Sequence, residues 1–202
     1  MIHLDKKTYR LPEKNYYKES YKKTQIVIGH NNRRDIRDII GWTKRNNGEY
    51  KKTANYTIDI KGNVYEHFSP KYYSDFIGVE QDKSNISISL VNVGWLKLDK
   101  LNTVFTDWLG HTYSIDEPII EKSWRGYDFW YEYTEEQINS LNILLTYLTK
   151  RFKIPFQCIG NNVYNDDVDI YKGITFRSNY SQDILDVSPA FNIKKIKQVE
   201  NG

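Results

Sequence analysis

Gln25-Ile-Val-Ile-Gly-His30 decides the fold class. A short apolar run that stops at a glycine and polar residues reads as a buried central strand. Behind it Asn32 is placed to cap a helix in which Ile36, Ile39 and Ile40 share a face at three- and four-residue spacing. Strand followed by helix opens an α/β arrangement.

Further along, residues 54–68 (Ala-Asn-Tyr-Thr-Ile-Asp-Ile-Lys-Gly-Asn-Val-Tyr-Glu-His-Phe) alternate about Lys61-Gly62-Asn63, where glycine supplies the positive φ of a tight hairpin turn. Asn85-Ile-Ser-Ile-Ser-Leu-Val91 alternates apolar with small polar side chains. One face is core, and the other is either a closely covered face, a site wall or an exposed face. From Val93 to Tyr133 the chain is dense in aromatics (Trp95, Trp108, Trp124, Trp130) with little periodicity, which predicts an elaborated insert packed on the main sheet. Thr134-Glu-Glu-Gln137 is a capping box, and Ile138, Leu141, Leu145, Leu148 and Phe152 form the stripe of a helix that ends at Lys150-Arg151 and Pro155. Phe156 to Ile159 reads as a short strand ending in Gly160-Asn161-Asn162. The sum is a mixed central β-sheet flanked by helices, with an aromatic-rich insert at about 93–133.

The chain has 202 residues, and no repeat, low-complexity tract or linker offers a domain boundary, so a single domain over 1–202 with a core at 24–192 is expected. Charged residues are 27% and mean hydropathy is −0.70, yet aromatics reach 15%, which excludes a disordered chain. Cys158 is the lone cysteine, so neither an internal disulfide nor a thiolate zinc cluster can form. No stretch approaches the roughly 20 apolar residues of a membrane span. The start, Met1-Ile-His-Leu-Asp-Lys-Lys7, lacks the apolar core of a secretory signal, so synthesis in the cytoplasm without standard export is expected. A net charge of +3 gives little support for binding an anionic polymer, no nucleic-acid motif is present, and Lys194-Lys195-Ile196-Lys197 reads as a solvated tail. The richness in Lys, Asn, Ile and Tyr is what AT-rich coding sequence produces, as in many phages and some low-GC bacteria.

Taken in order, Gln25–His30, Tyr56-Thr-Ile-Asp-Ile-Lys-Gly-Asn-Val-Tyr65, Ser84-Asn-Ile-Ser-Ile-Ser-Leu-Val-Asn92, Tyr133–Leu141, Ile159-Gly-Asn-Asn162, and Gly173-Ile-Thr-Phe-Arg-Ser-Asn-Tyr180 leading to Asp186-Val-Ser-Pro-Ala-Phe191 resemble one family. It is the zinc-dependent N-acetylmuramoyl-L-alanine amidases of the phage-lysozyme type, whose fold is shared by peptidoglycan recognition proteins. In active members the resemblance implies a zinc held by two histidines and an Asp or Cys, with a fourth position open for water and substrate. The first ligand position falls on Gly29, with His30 in the neighbouring, usually non-ligand slot. A one-residue slip would restore His30 but would turn the strand's side chains to the opposite face. The second histidine, after a glycine, is replaced by Asn161, a poor zinc ligand. Asp186 survives as the third. The polarising tyrosine maps to Ala54 with Asn55 in the adjoining histidine slot, and the strand acid maps to Ser89. Alanine can neither stabilise an oxyanion nor move a proton.

The remaining candidates are weaker. Tyr56 is a core-facing aromatic. His3 and His67 read as surface or half-buried residues, and Cys158 as a buried small hydrophobe. His111 is the histidine outside the motif that could replace a lost ligand, and Arg177 either clamps a ligand carboxylate or braces the loop carrying Asp186. The expectation is a catalytically inactive amidase-like protein with no cofactor, acting in binding or assembly. Its expected partners are other protein subunits, a phage particle (virion or tail) or peptidoglycan fragments. The alternatives are an active zinc amidase using His30, Asp186 and His111 or an asparagine, and an inhibitor that docks on a partner enzyme.

Overall fold

The computed structural model describes residues 3–101 and 103–199. The ends of the expected 1–202 domain, Met1-Ile2 and 200–202, and Asn102 of the insert lie outside the described residues. The elements are β1 (Leu4–Asp5), β2 (Gln25–His30), α1 (Arg37–Trp42), β3 (Tyr56–Ile58), β4 (Val64–Glu66), α2 (Val79–Asp82) and β5 (Asn85–Leu90), followed by the insert strands β6 (Trp95–Leu98), β7 (Val104–Thr106), β8 (Thr112–Ser114), β9 (Ile119–Trp124) and β10 (Tyr127–Tyr131), then α3 (Glu135–Phe152) and β11 (Gly173–Phe176). The main sheet has the order β1-β4-β3-β5-β2-β11. Its β3/β4 hairpin is antiparallel, whereas β3, β5, β2 and β11 run parallel, so the sheet is mixed.

Register explains the core. Ile26 and Ile28 of β2 sit beside Ile86 and Ile88 of β5 and beside Ile174 and Phe176 of β11, while Tyr56 and Ile58 of β3 face Ile88 and Leu90. All nine share one face and pack against Ile138, Leu141, Leu144, Leu145 and Leu148 of α3. That helix begins as its residue pattern predicts. Gln137 N–H donates to the Thr134 hydroxyl, and the Gln137 side chain accepts from Thr134 N–H. The opposite sheet face carries Val27, Thr57, Ser87 and Ser89, all buried. The small polar face of β5 is therefore a covered face. On it the Ser87 N–H and hydroxyl both donate to Asn55 Oδ1.

The insert folds into a second, fully antiparallel sheet of order β8-β7-β6-β10-β9. Its aromatics build a small core of Val93, Leu96, Phe105 and Tyr113, with Phe129 and Tyr131 packed on it.

Four local readings differ from the structure. Asn32 caps no helix: it adopts a left-handed conformation (φ 54°), which asparagine tolerates, and α1 starts only at Arg37. As a result Ile39 is buried beside Trp42 and Phe68 while Ile40 is exposed. The 156–159 strand reduces to a single bridge between Cys158 and Ile174. The 194–197 run is not a free tail. Asn142 of α3 holds it by donating to Lys195 C=O and accepting from Lys197 N–H, and Ile193 and Ile196 pack on the core. His67 is fully buried, bonded to Tyr9 C=O and the Thr57 hydroxyl.

Candidate functional site at the strand ends

Parallel strands bring their carboxyl ends together, where ligands of open α/β sheets commonly sit. Phe176 of β11 pairs with Ile28 of β2, so the next residue, Arg177, emerges beside Gly29. The Arg177 Nη1 lies 3.1 and 3.0 Å from the two carboxylate oxygens of Asp186, and Asp186 Oδ2 also accepts from His30 N–H at 2.9 Å. Asp186 is buried, Arg177 is three-quarters buried, and the Phe76 ring lies 4.8 Å from the guanidinium carbon. A Cβ on Gly29 would fall 2.4 Å from Asp186 Oδ2 and 2.5 Å from the Arg177 Cδ. Glycine here is a steric requirement of the ion pair.

His30 points the other way, as the alternation of a strand demands. Its ring is buried, with Nδ1 at 2.7 Å from the Tyr133 hydroxyl and Nε2 at 2.9 Å from Asn32 Oδ1. An amide oxygen can only accept, so Nε2 carries the proton and Nδ1 accepts from Tyr133, whose oxygen in turn accepts from Ser188 N–H. Burial lowers the pKa of His30, with Arg177 adding to the effect against the pull of Asp186. The ring is neutral at pH 7 with both nitrogens committed.

The other candidate positions are committed as well. Asn161 donates to Phe191 C=O and to Asn162 Oδ1, while Asn162 donates to Val187 C=O. Ala54 is buried, and Asn55 ties the β3 edge to Ser87, Ser69 and Tyr72. Ser89 is buried beside Gly29 in register. Tyr56 is a core residue bonded to Glu66. His111 is mostly exposed and pairs with Asp107 in the β7–β8 turn. Cys158 is half-buried, and burial pushes its thiol up to about 11.

Sequence reasoning gave no part in this site to Tyr133, Phe76 or Ser188, and read Asn32 only as a helix cap. Tyr133 alone had a signal, its place just ahead of the helix cap. The contacts of Phe76 and Ser188 come from distant loops and leave no local pattern.

The insert reaches around this site. Trp108 Nε1 donates to Asn32 C=O and Trp124 Nε1 to Asn162 C=O. Arg125 donates to the carbonyls of Ser178, Ser181 and Ile184. Gly94, at φ 83°, approaches so closely that an added Cβ would fall 2.9 Å from His30 Nε2. Beside the 160–162 loop lies an open groove of about 760 Å³, lined by Pro118, Ile120, Tyr133, Asn161, Phe191 and Lys194 among others.

A zinc ion does not fit these residues. One ligand position has no side chain and its space is filled by Arg177. A second is an amide holding a backbone carbonyl, and the third is neutralised by a guanidinium. Among the described residues no three His, Cys, Asp or Glu side chains converge as a metal set. Nor, among the described residues, is any helix long and apolar enough to cross a membrane.

No protein-family model matches the sequence, and no curated protein matches it. Solved structures do match by shape. The N-acetylmuramoyl-L-alanine amidase LysC from Clostridium intestinale URNW is 13% identical, with 97% of this chain and 94% of that chain covered at a TM-score of 0.53. Drosophila peptidoglycan recognition protein SA is 9% identical, with 100% and 96% covered at 0.55. Its counterpart SD, also from Drosophila, is 14% identical, with 94% and 90% covered at 0.51. At such identities the likeness is one of architecture, and the chain has the fold shared by N-acetylmuramoyl-L-alanine amidases and peptidoglycan recognition proteins.

Proposed function

We propose that this protein is a non-catalytic binding or assembly component built on the amidase fold, which does not hydrolyse the N-acetylmuramoyl-L-alanine bond. The observation that carries the reading is the use of the strand-end residues. Gly29, Asn161 and Asp186 stand where the sequence resemblance puts metal ligands; Gly29 leaves room for Arg177, and Asn161 and Asp186 are spent on holding the protein's own chain. Ala54 offers no proton donor where that resemblance puts a tyrosine. Hydrolysis needs a polarised carbonyl, an activated water and a proton path, and these side chains supply none of them.

Peptidoglycan fragments are the ligand we assign to the remaining groove, whose size falls in the range of small-molecule sites. Structural neighbours named for peptidoglycan recognition support that assignment. The test is twofold. Zinc-loaded protein incubated with purified peptidoglycan releases no new amino termini, and the protein sediments with the insoluble polymer at low salt. New amino termini, lost on adding a chelator, would overturn the non-catalytic reading. Protein that stays in the supernatant would remove the peptidoglycan ligand and leave assembly with other protein subunits, for which exposed Leu101, Trp108 and Ile115 of the insert are the candidate contacts.

A further inference from the structure

We propose that Arg177 is a covalently tethered substitute for a metal ion: its guanidinium supplies the positive charge that locks Asp186, and the segment 186–191 behind it, onto the end of β2. The inference rests on the non-catalytic reading and extends it, because it says what holds the strand ends in shape once no cation is bound.

Four observations converge. The Arg177 Nη1 meets both oxygens of a buried carboxylate, and the second partner of that carboxylate is the backbone N–H of His30, so one Asp186 side chain joins β2 to the 177 turn. Space for the arginine exists only because residue 29 lacks a Cβ. Arg177 Nε is buried with no hydrogen-bond partner, a cost tolerated for the placement of the charge. Phe76 presents its ring to the guanidinium, a contact made by cations. Other anchors of the same segment are Asn162 on Val187, Tyr133 on Ser188 and Asn161 on Phe191, so the segment is held at its start by charge and further along by two amides and a phenol. A metal ion would hold such a segment by pulling its ligands to one point. Here the chain does so with its own atoms.

A buried ion pair is not in itself evidence of stability, since desolvation offsets its attraction, but removing one partner leaves an uncompensated charge. The experiment is a thermal-melting cycle with Arg177→Met, Asp186→Asn and the double variant, together with Arg177→Ala and Arg177→Lys. Arg177→Met is expected to lower Tm by on the order of 10 °C. Adding Asp186→Asn should restore part of that loss, and Arg177→Lys, which keeps the charge, should lose less than Arg177→Met. Ethylguanidinium at low millimolar concentration should raise the Tm of Arg177→Ala and leave wild type unchanged, with sodium at equal ionic strength as control. Additive losses in the cycle, or a lysine variant as damaged as the methionine one, would overturn the proposal. If Arg177→Met fails to fold, the comparison of Arg177→Lys with wild type and with the double variant decides it. None of these readouts depends on peptidoglycan or on zinc uptake by wild type, so this proposal can fail while the non-catalytic reading stands, and the reverse.

Discussion

His67 and Asp82 carry opposite pH dependences. Burial lowers His67 to about 4 from the usual 6.5, so the unfolded chain binds a proton there that the folded chain refuses. Stability from this ring is therefore lost as pH falls from about 6.5 towards about 4, by up to about 3 kcal/mol. Asp82 is raised to about 6 by burial, against the backbone N–H groups of Phe76, Ile77 and Gly78 that favour its charged form. Its folded state binds the proton first, which adds stability as pH falls through the same window. In Asp82→Asn that offset disappears, so urea titrations between pH 7 and pH 4 should show a steeper acid loss than in wild type. Parallel curves would contradict the assignment. At Gly29 the prediction is steric. Gly29→Ala places a methyl against Asp186 and Arg177, and overpacking of this kind costs about 1–3 kcal/mol, seen as a Tm lowered by several degrees.

Among the elements, α3 was legible before any coordinates because its capping box, apolar stripe and basic end all agree. The Thr134 hydroxyl does a second thing the pattern could not reveal: it donates to Ile60 C=O, pinning the helix start to the β3/β4 hairpin. Thr134→Ala should therefore cost at least the ~1 kcal/mol of a lost cap, measured by chemical denaturation. The strap over α3 was missed because its binding groups are backbone atoms of the 195–199 segment, which leave no trace in residue type. Asn142→Ala should release that strap and speed tryptic cleavage at Lys194, Lys195 and Lys197, while wild type resists at those sites. The helix after β2 begins four residues later than read, since Asn32 spends its side chain on His30. The insert's strands were illegible because they are mostly three to six residues long with exposed outer faces, too short for a periodic signal.

For the molecule as a whole, the parallel strands, the hairpin and α3 fixed the architecture, and the matched structures share it at 9–14% identity. What Gly29, Ala54 and Asn161 lack can be read one position at a time, because each concerns a single side chain. What fills the space they leave cannot. The Arg177–Asp186 pair depends on the register of β11 against β2, and the insert's grip on Asn32, Asn162 and the 178–184 loop depends on how two sheets dock. A fold held at its strand ends by an arginine should be indifferent to metal, so its Tm should be the same with excess zinc and with a chelator.

The most direct measurement is metal content by mass spectrometry of native protein, loaded with zinc and then desalted. The account predicts far less than one zinc per chain. A stoichiometric, chelator-sensitive zinc would contradict it.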